Sequence, residues 1–273
     1  MPKETGVRLT REVSMELTIY QIDSFANKVF EGNPAAICPL KKWLPDELLQ
    51  SIALENNLSE TAFFVKTGSG YHLRWFTPVC EVDLCGHATL ATAFVVFTFL
   101  GYKENEILFF SRSGELIVTR SDEWLEMNFP AQPPKQCAIP EQIIKAFEIS
   151  PVECHKSEDY IVIFENEDSI FNAKPNMSLL SELSLRGVAI TARGNDYDFV
   201  TRFFAPKYGI NEDPVTGSAF TQLIPYWSKK LGKKQLTSKQ VSKRGGEVGC
   251  VYSGDRVKIS GKAVKYMIGS IEI

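Results

Sequence analysis

The sequence is short of the features that mark several functional classes. Its longest apolar run, around Ala91–Leu100, is about half of the ~20 residues that a membrane helix requires. The opening segment, MPKETGVRLTREVS, lacks the apolar stretch of a secretion signal. Histidine is scarce, with only His72, His87 and His155, and the six cysteines (38, 80, 85, 137, 154 and 250) contain no C-x-x-C pair. Together these show no zinc-ligand spacing, so no metal is expected and the thiols read as reduced, in a cytoplasmic protein. Charge of one sign is also missing: 30 Lys and Arg against 33 Asp and Glu leave a formal net charge of -3. Such a balance gives no electrostatic footprint for nucleic acid or an acidic membrane, and neither is expected as a partner.

What is present is a chain of 273 residues, 44% hydrophobic, long enough for a core that needs no staple. It repeats itself once. RWFTP at 74–78 matches RFFAP at 202–206, and CGHATLATAFVVFTFLG at 85–101 lines up with TGSAFTQLIPYWSKKLG at 216–232. Arg112, Gly114, Glu115 and Ser121 then match Arg244, Gly246, Glu247 and Ser253 at a constant offset of 132. The period is too long for a solenoid and fits two domains. We divide the chain into residues 1–131 and 132–273, joined near the proline-rich PAQPPK at 130–135, with residues 1–14 an extension or an upstream start. The final strand, 263–271, is expected to cross back to the first half.

Each half contains one conspicuous helix, opening at Gly86 or Gly217 and ending before Gly101 or Gly232. The first is apolar nearly all round and so must be wrapped by protein on every side. The second carries Pro225, which is expected to kink it. Around them the chain reads as short strands rich in β-branched and aromatic residues, with further helices at 45–57 and 140–149. This is an α+β pattern of two pseudo-symmetric domains, each a barrel-like sheet around a central helix.

Chemistry is expected where the loops feed those helices, at CEVDLCGHAT and INEDPVTGSA. Free backbone N–H groups at a helix start favour an anion, and two equivalent starts facing each other would hold a carboxylate. On pattern alone, Gly86 and Gly217 read equally well as residues that merely permit tight turns. Glu60, opening an apolar strand in NLSETAFF, suits a general acid or base, although the pattern alone favours an exposed or capping glutamate. It has no acidic counterpart in the second half. His87 is expected to be kept neutral by the helix dipole. Asp213 either caps the second helix turn or orients a substrate ammonium. Ser218 either satisfies the helix start or bonds a carboxylate, and Cys85 sits where a thiolate would be stabilised.

These residues resemble the phenazine-biosynthesis PhzF-like family, of diaminopimelate epimerase-like fold, through DSFANKVFEGNPAAI (23–37), LSETAFF (58–64), DLCGHATLA (83–91), EDPVTGSA (212–219) and GGEVGCVYSGDRVKISGKAV (245–264). The resemblance runs from about Met15 to the end. It implies a homodimer, no cofactor, and a site between the halves for a small anionic metabolite. It implies that Glu60 takes a proton from one carbon and returns it at another, while His87, Asp213 and Ser218, flanked by Gly86 and Gly217, hold the substrate's polar groups. The founding enzyme isomerises trans-2,3-dihydro-3-hydroxyanthranilate but lacks a cysteine before its Gly–His pair, where this chain has Cys85. The related amino-acid epimerases use a cysteine there and pair it with a second, a position that is Thr216 in the repeat here. The leading expectation is a cofactor-independent, proton-shifting isomerase. The alternatives are a one-base epimerase or racemase using Cys85, and a catalytically silent binding module on the same fold.

Overall fold

The computed structural model describes residues 15–273; the expected extension at 1–14 lies outside them. The first half runs β1 (Glu16–Ser24), β2 (Asn33–Leu40), α1 (Asp46–Asn56), β3 (Glu60–Lys66), β4 (Tyr71–Phe76), β5 (Glu81–Val82), α2 (Gly86–Phe99), β6 (Glu106–Ser111), β7 (Gly114–Ser121) and β8 (Trp124–Pro130). The second runs β9 (Lys135–Cys137), α3 (Glu141–Ala146), β10 (Glu153–Lys156), β11 (Tyr160–Ile163), α4 (Glu167–Phe171), α5 (Met177–Ser181), β12 (Val188–Arg193), β13 (Phe199–Ala205), β14 (Ile210–Asp213), α6 (Gly217–Leu231), β15 (Gln235–Gln240), β16 (Gly246–Tyr252) and β17 (Arg256–Gly261). The last strand, β18 (Ala263–Glu272), pairs with β1.

The strand pairings of the two halves correspond one to one. In the first, β18–β1–β2–β3–β4–β6–β7–β8 are neighbours; in the second, β9–β10–β11–β12–β13–β15–β16–β17 are. The same links are parallel in each, β2–β3 with β11–β12 and β4–β6 with β13–β15. The halves join where β8 lies antiparallel to β17. There Met127 faces Ile259, its own equivalent at the 132-residue offset of the repeat, so the pseudo-twofold axis passes through this pair. The fold is the expected mixed α+β architecture of curved sheets around a central helix.

The all-apolar helix behaves as its composition demands: in α2 every residue from His87 to Val96 except Phe94 is buried. Each fully buried side chain of Leu90 or Phe220 size contributes about 1.5–3 kcal/mol through area removed from water. One continuous apolar cluster includes both central helices and the β8–β17 seam. Helix α6 continues through Pro225. A proline at that point frees the carbonyl four residues earlier, and that carbonyl, on Thr221, accepts the N–H of Gln132 at 2.9 Å. The carbonyl freed by the proline thus ties the connection between the halves to α6.

Several short elements went unread in the sequence, and for two longer strands, β2 and β15, the physical reason is plain. β2 reads NPAAICPL, and its two prolines argue against an inner strand. Pro39 is tolerated because β1 pairs only with residues 33–37, so its missing N–H faces no partner on that side. β15 reads QLTSKQ, and its inward positions include the polar Ser238 and Gln240, which disguise the alternation. The helix expected over 140–149 is shorter, Glu141–Ala146.

Candidate active site

Both central helices begin with an uncapped turn. The residues before them, Cys85 and Thr216, make no side-chain capping bond, so the first N–H groups stay available. The two starts meet across the pseudo-twofold axis: a Cβ built on Gly86 would lie 3.6 Å from Gly217 Cα, and the reverse holds. That is ordinary contact distance, so the two helix backbones already touch at these positions. The glycines thus serve a close backbone approach; neither has a positive φ, so no turn requires glycine there.

Glu60, the first residue of β3, brings Oε2 to 3.1 Å from His87 Nε2. The contact is out of line for a hydrogen bond, and both atoms are buried without a hydrogen-bond partner among the described residues. Buried polar atoms left in this state mark a site that awaits a ligand or a proton. On its other face, His87 Nδ1 lies 3.5 Å from Cys85 Sγ, and Ser24 Oγ donates to the His87 carbonyl at 2.7 Å. Glu60, Cys85 and His87 form a cluster whose ligand atoms lie within 4.8 Å of one another.

Asp213, the last residue of β14, accepts from Thr216 Oγ1 at 2.6 Å and from Asn33 Nδ2 at 2.7 Å. It does not cap the α6 backbone, so that alternative is set aside. Burial pushes its pKa up to about 6, against the pull of His87 and the Thr216 bond. Burial likewise pushes the Cys85 thiol up to about 11, aided by the Glu60 charge, so this cysteine is a thiol and not the stabilised thiolate that its helix-start position suggested. Ser218 accepts a hydrogen bond from Arg186 Nη2 at 2.9 Å.

One expectation is overturned. The helix dipole was expected to keep His87 neutral. Burial does oppose its charge, but the Cys85 sulfur, placed to accept from Nδ1–H, and the Glu60 carboxylate raise its pKa well above the ordinary histidine value. A carboxylate at 3.1 Å outweighs the partial charge of one helix end. The raised value favours folding most below pH 6.5, and that contribution is lost as pH rises through the folded-state pKa. In Glu60→Gln the imidazole loses its counter-charge, so its titration midpoint is expected to fall. Histidine ring C–H resonances followed against pH by NMR check this; an unmoved midpoint contradicts the pairing.

Sequence reasoning missed the supporting residues. Asn33, fully buried, bridges Asp213 and the Val215 carbonyl from the other half of the chain. Gln240 accepts from the Thr216 N–H and donates to the Asp213 carbonyl. Arg186 and Asp159 brace Ser218. Only Asn33 lay in a segment singled out beforehand. A separate cavity of about 240 Å³, lined by Asn27, Lys28, Glu31, Lys239, Arg244 and Glu247 with their glycine neighbours, includes none of the cluster residues.

Paired barrels with central helices meeting end to end at an acid/base cluster define the diaminopimelate epimerase-like class of fold. Within it, the chain belongs to the phenazine biosynthesis-like (PhzC-PhzF) family, whose model matches residues 22–269. An uncharacterised isomerase of Pseudomonas aeruginosa is 52% identical over 259 residues, covering 95% of this chain and 100% of the relative. A PhzF-family crystal structure from Enterococcus faecalis superposes with a TM-score of 0.93 at 45% identity, covering 95% of this chain and 100% of the other. A hydroxyproline epimerase of Agrobacterium vitis shares the fold at a TM-score of 0.61 and 11% identity, with coverage of 94% and 93%. No helix among the described residues is long and apolar enough to cross a membrane.

Proposed function

We propose that this isomerase moves a proton on a small carboxylate-bearing metabolite, with Glu60 as the acid/base group in the cleft between the halves. The observation that carries the reading is the buried Glu60–His87 contact, 3.1 Å long and unaligned, beside two uncapped helix starts. A carboxylate held against the N–H groups at Gly86 and Gly217 places its neighbouring carbon toward Glu60. Glu60 takes the proton from that carbon, and the electron pair left behind spreads onto the carboxylate as an enolate. Its growing charge strengthens the bonds to the helix starts, which is where transition-state stabilisation arises. Glu60 then returns the proton to a second carbon, and no atom is gained or lost. Charged His87 offsets the Glu60 carboxylate in this buried place, and Asp213, which titrates near neutrality, faces the substrate's polar groups. Incubation of candidate cyclic amino acids with the enzyme in D₂O tests the reading. Carbon-bound deuterium is expected with the wild type, and its absence from every candidate, alongside tight partner capture, favours a binding module.

The one-base epimerase using Cys85 is the weaker reading, because a buried thiol pushed to about 11 is a poor base. Cys85→Ser is expected to keep most of the exchange; loss of exchange in Cys85→Ser with retention in Glu60→Gln reverses the assignment.

We also read the protein as a cytoplasmic homodimer. The location follows from the cysteine pattern of the sequence, six cysteines with no C-x-x-C pair. Among the described residues β18 pairs on one side only, with β1, and exposes Tyr266, Met267 and Ile268, an edge that a second copy would cover.

A further inference from the structure

The two halves treat the residue after the helix-start glycine in opposite ways. In the first half that residue is His87, and a carboxylate, Glu60, reaches it from the start of β3. In the second it is Ser218, and a guanidinium, Arg186, reaches it from just before β12. The repeat places Ser218 opposite His87, and the strand register places Arg186 opposite Ser59, so the first half has no guanidinium at the matching point.

Arg186 is held in a built network. Its Nε and Nη2 donate to the two oxygens of Asp159 at 3.0 and 2.6 Å, and Nη1 lies 3.3 Å from Glu158 Oε1. Asp159 has no exposed surface; it also accepts from Gln222 Nε2 at 2.7 Å, while its own N–H donates to Gln222 Oε1 at 3.0 Å. Gln222 lies on α6, one turn after Ser218, so helix and arginine are locked together. The guanidinium also stacks 5.5 Å over the Phe203 ring. With two carboxylates already on it, Arg186 offers no net positive charge to a ligand. What it offers is direction. A guanidinium only donates, so the Ser218 oxygen must accept from it, and the hydroxyl hydrogen must point elsewhere. Among the described residues that hydrogen has no acceptor.

We propose that Arg186 is a positioning residue that fixes the Ser218 hydroxyl as a donor into the cleft, so that the substrate's carboxylate lies on the second-half side, at Ser218, with its reacting carbon toward Glu60. This rests on the acid/base reading of the site and on the carboxylate-binding role expected of Ser218; what it adds is the part of Arg186 in fixing that role.

Benzoate and benzamide, matched in shape, are the probes, with binding measured by calorimetry. The wild type is expected to prefer benzoate by about tenfold or more, the effect of one hydrogen bond to a charged group. Arg186→Lys keeps a cation for Asp159 but cannot serve both partners as the planar fork does. It and Ser218→Ala are each expected to remove most of that preference, and the double variant to lose no more than Ser218→Ala alone. Should Arg186→Lys fold poorly, Arg186→Met with Asp159→Asn leaves no unpaired buried charge and is expected to behave alike. Equal binding of the two probes by the wild type, full preference in the arginine variants, or additive losses overturns the proposal. Glu60→Gln is expected to retain the preference. Because binding needs no turnover, failure of the acid/base reading shows separately, as normal deuterium exchange in Glu60→Gln.

Discussion

Glu60→Gln is expected to slow proton exchange and isomerisation by about 10²–10⁴-fold, the range that a positioned acid/base group supplies. Glutamine keeps the shape and burial of the side chain but cannot carry a proton between two carbons. The change therefore isolates chemistry from packing. It also leaves the helix starts intact, so affinity for carboxylate probes is expected to survive. The readout is the initial rate of deuterium incorporation relative to wild type. A loss of less than about tenfold would place the proton transfer on another group.

Arg244→Met is expected to produce the largest loss of stability. This arginine, from the second half, donates to Asp23 Oδ1 at 2.8 Å and to the carbonyls of Gly32 and Glu31 at 2.8 and 2.9 Å. Asp23 is 1% exposed, and among the described residues its other oxygen accepts only the Phe30 N–H, so the substitution strands a buried carboxylate. Removing one partner of such a pair costs about 3–5 kcal/mol, and the 30% exposure of the arginine side chain argues for the lower end. The loss also loosens the turn that delivers Asn33 to Asp213. A lowered urea midpoint with reduced exchange activity is expected; an unchanged midpoint would show that the inter-half clamp contributes little.

The parts of the molecule that repeat were the most legible. The offset of 132 read between Arg112 and Arg244 is the one that brings Met127 opposite Ile259 at the seam. The apolar girth of α2 required a surrounding barrel, whereas the glycines at 86 and 217 left facing helix starts and simple turns equally open, and only their close approach in the structure, 3.6 Å from a built Cβ to the opposite Cα, decides between them. Glu60 was different: its local pattern favoured an ordinary surface role, and only the family resemblance singled it out. Its mostly buried setting involves His87 and Cys85, neither of them visible in NLSETAFF. Asn33 and Asp213 stand 180 residues apart in sequence, and Arg186 and Ser218 stand 32 apart, so neither pair has a local signature. The charge state of His87 was misjudged for the same reason. A helix dipole can be read from the sequence, whereas a carboxylate arriving from another strand cannot.

The central claim is that a single carboxylate, Glu60, carries one proton from carbon to carbon. The direct measurement uses a substrate found by exchange, deuterated at its source carbon and converted in H₂O under single-turnover conditions, with the product's label located by NMR. A shuttling glutamate in a nearly sealed site predicts that part of the deuterium reappears at the new carbon of the same molecule, and that Glu60→Gln abolishes this transfer. Complete washout of label at every time point, or transfer that persists in Glu60→Gln, would contradict the account.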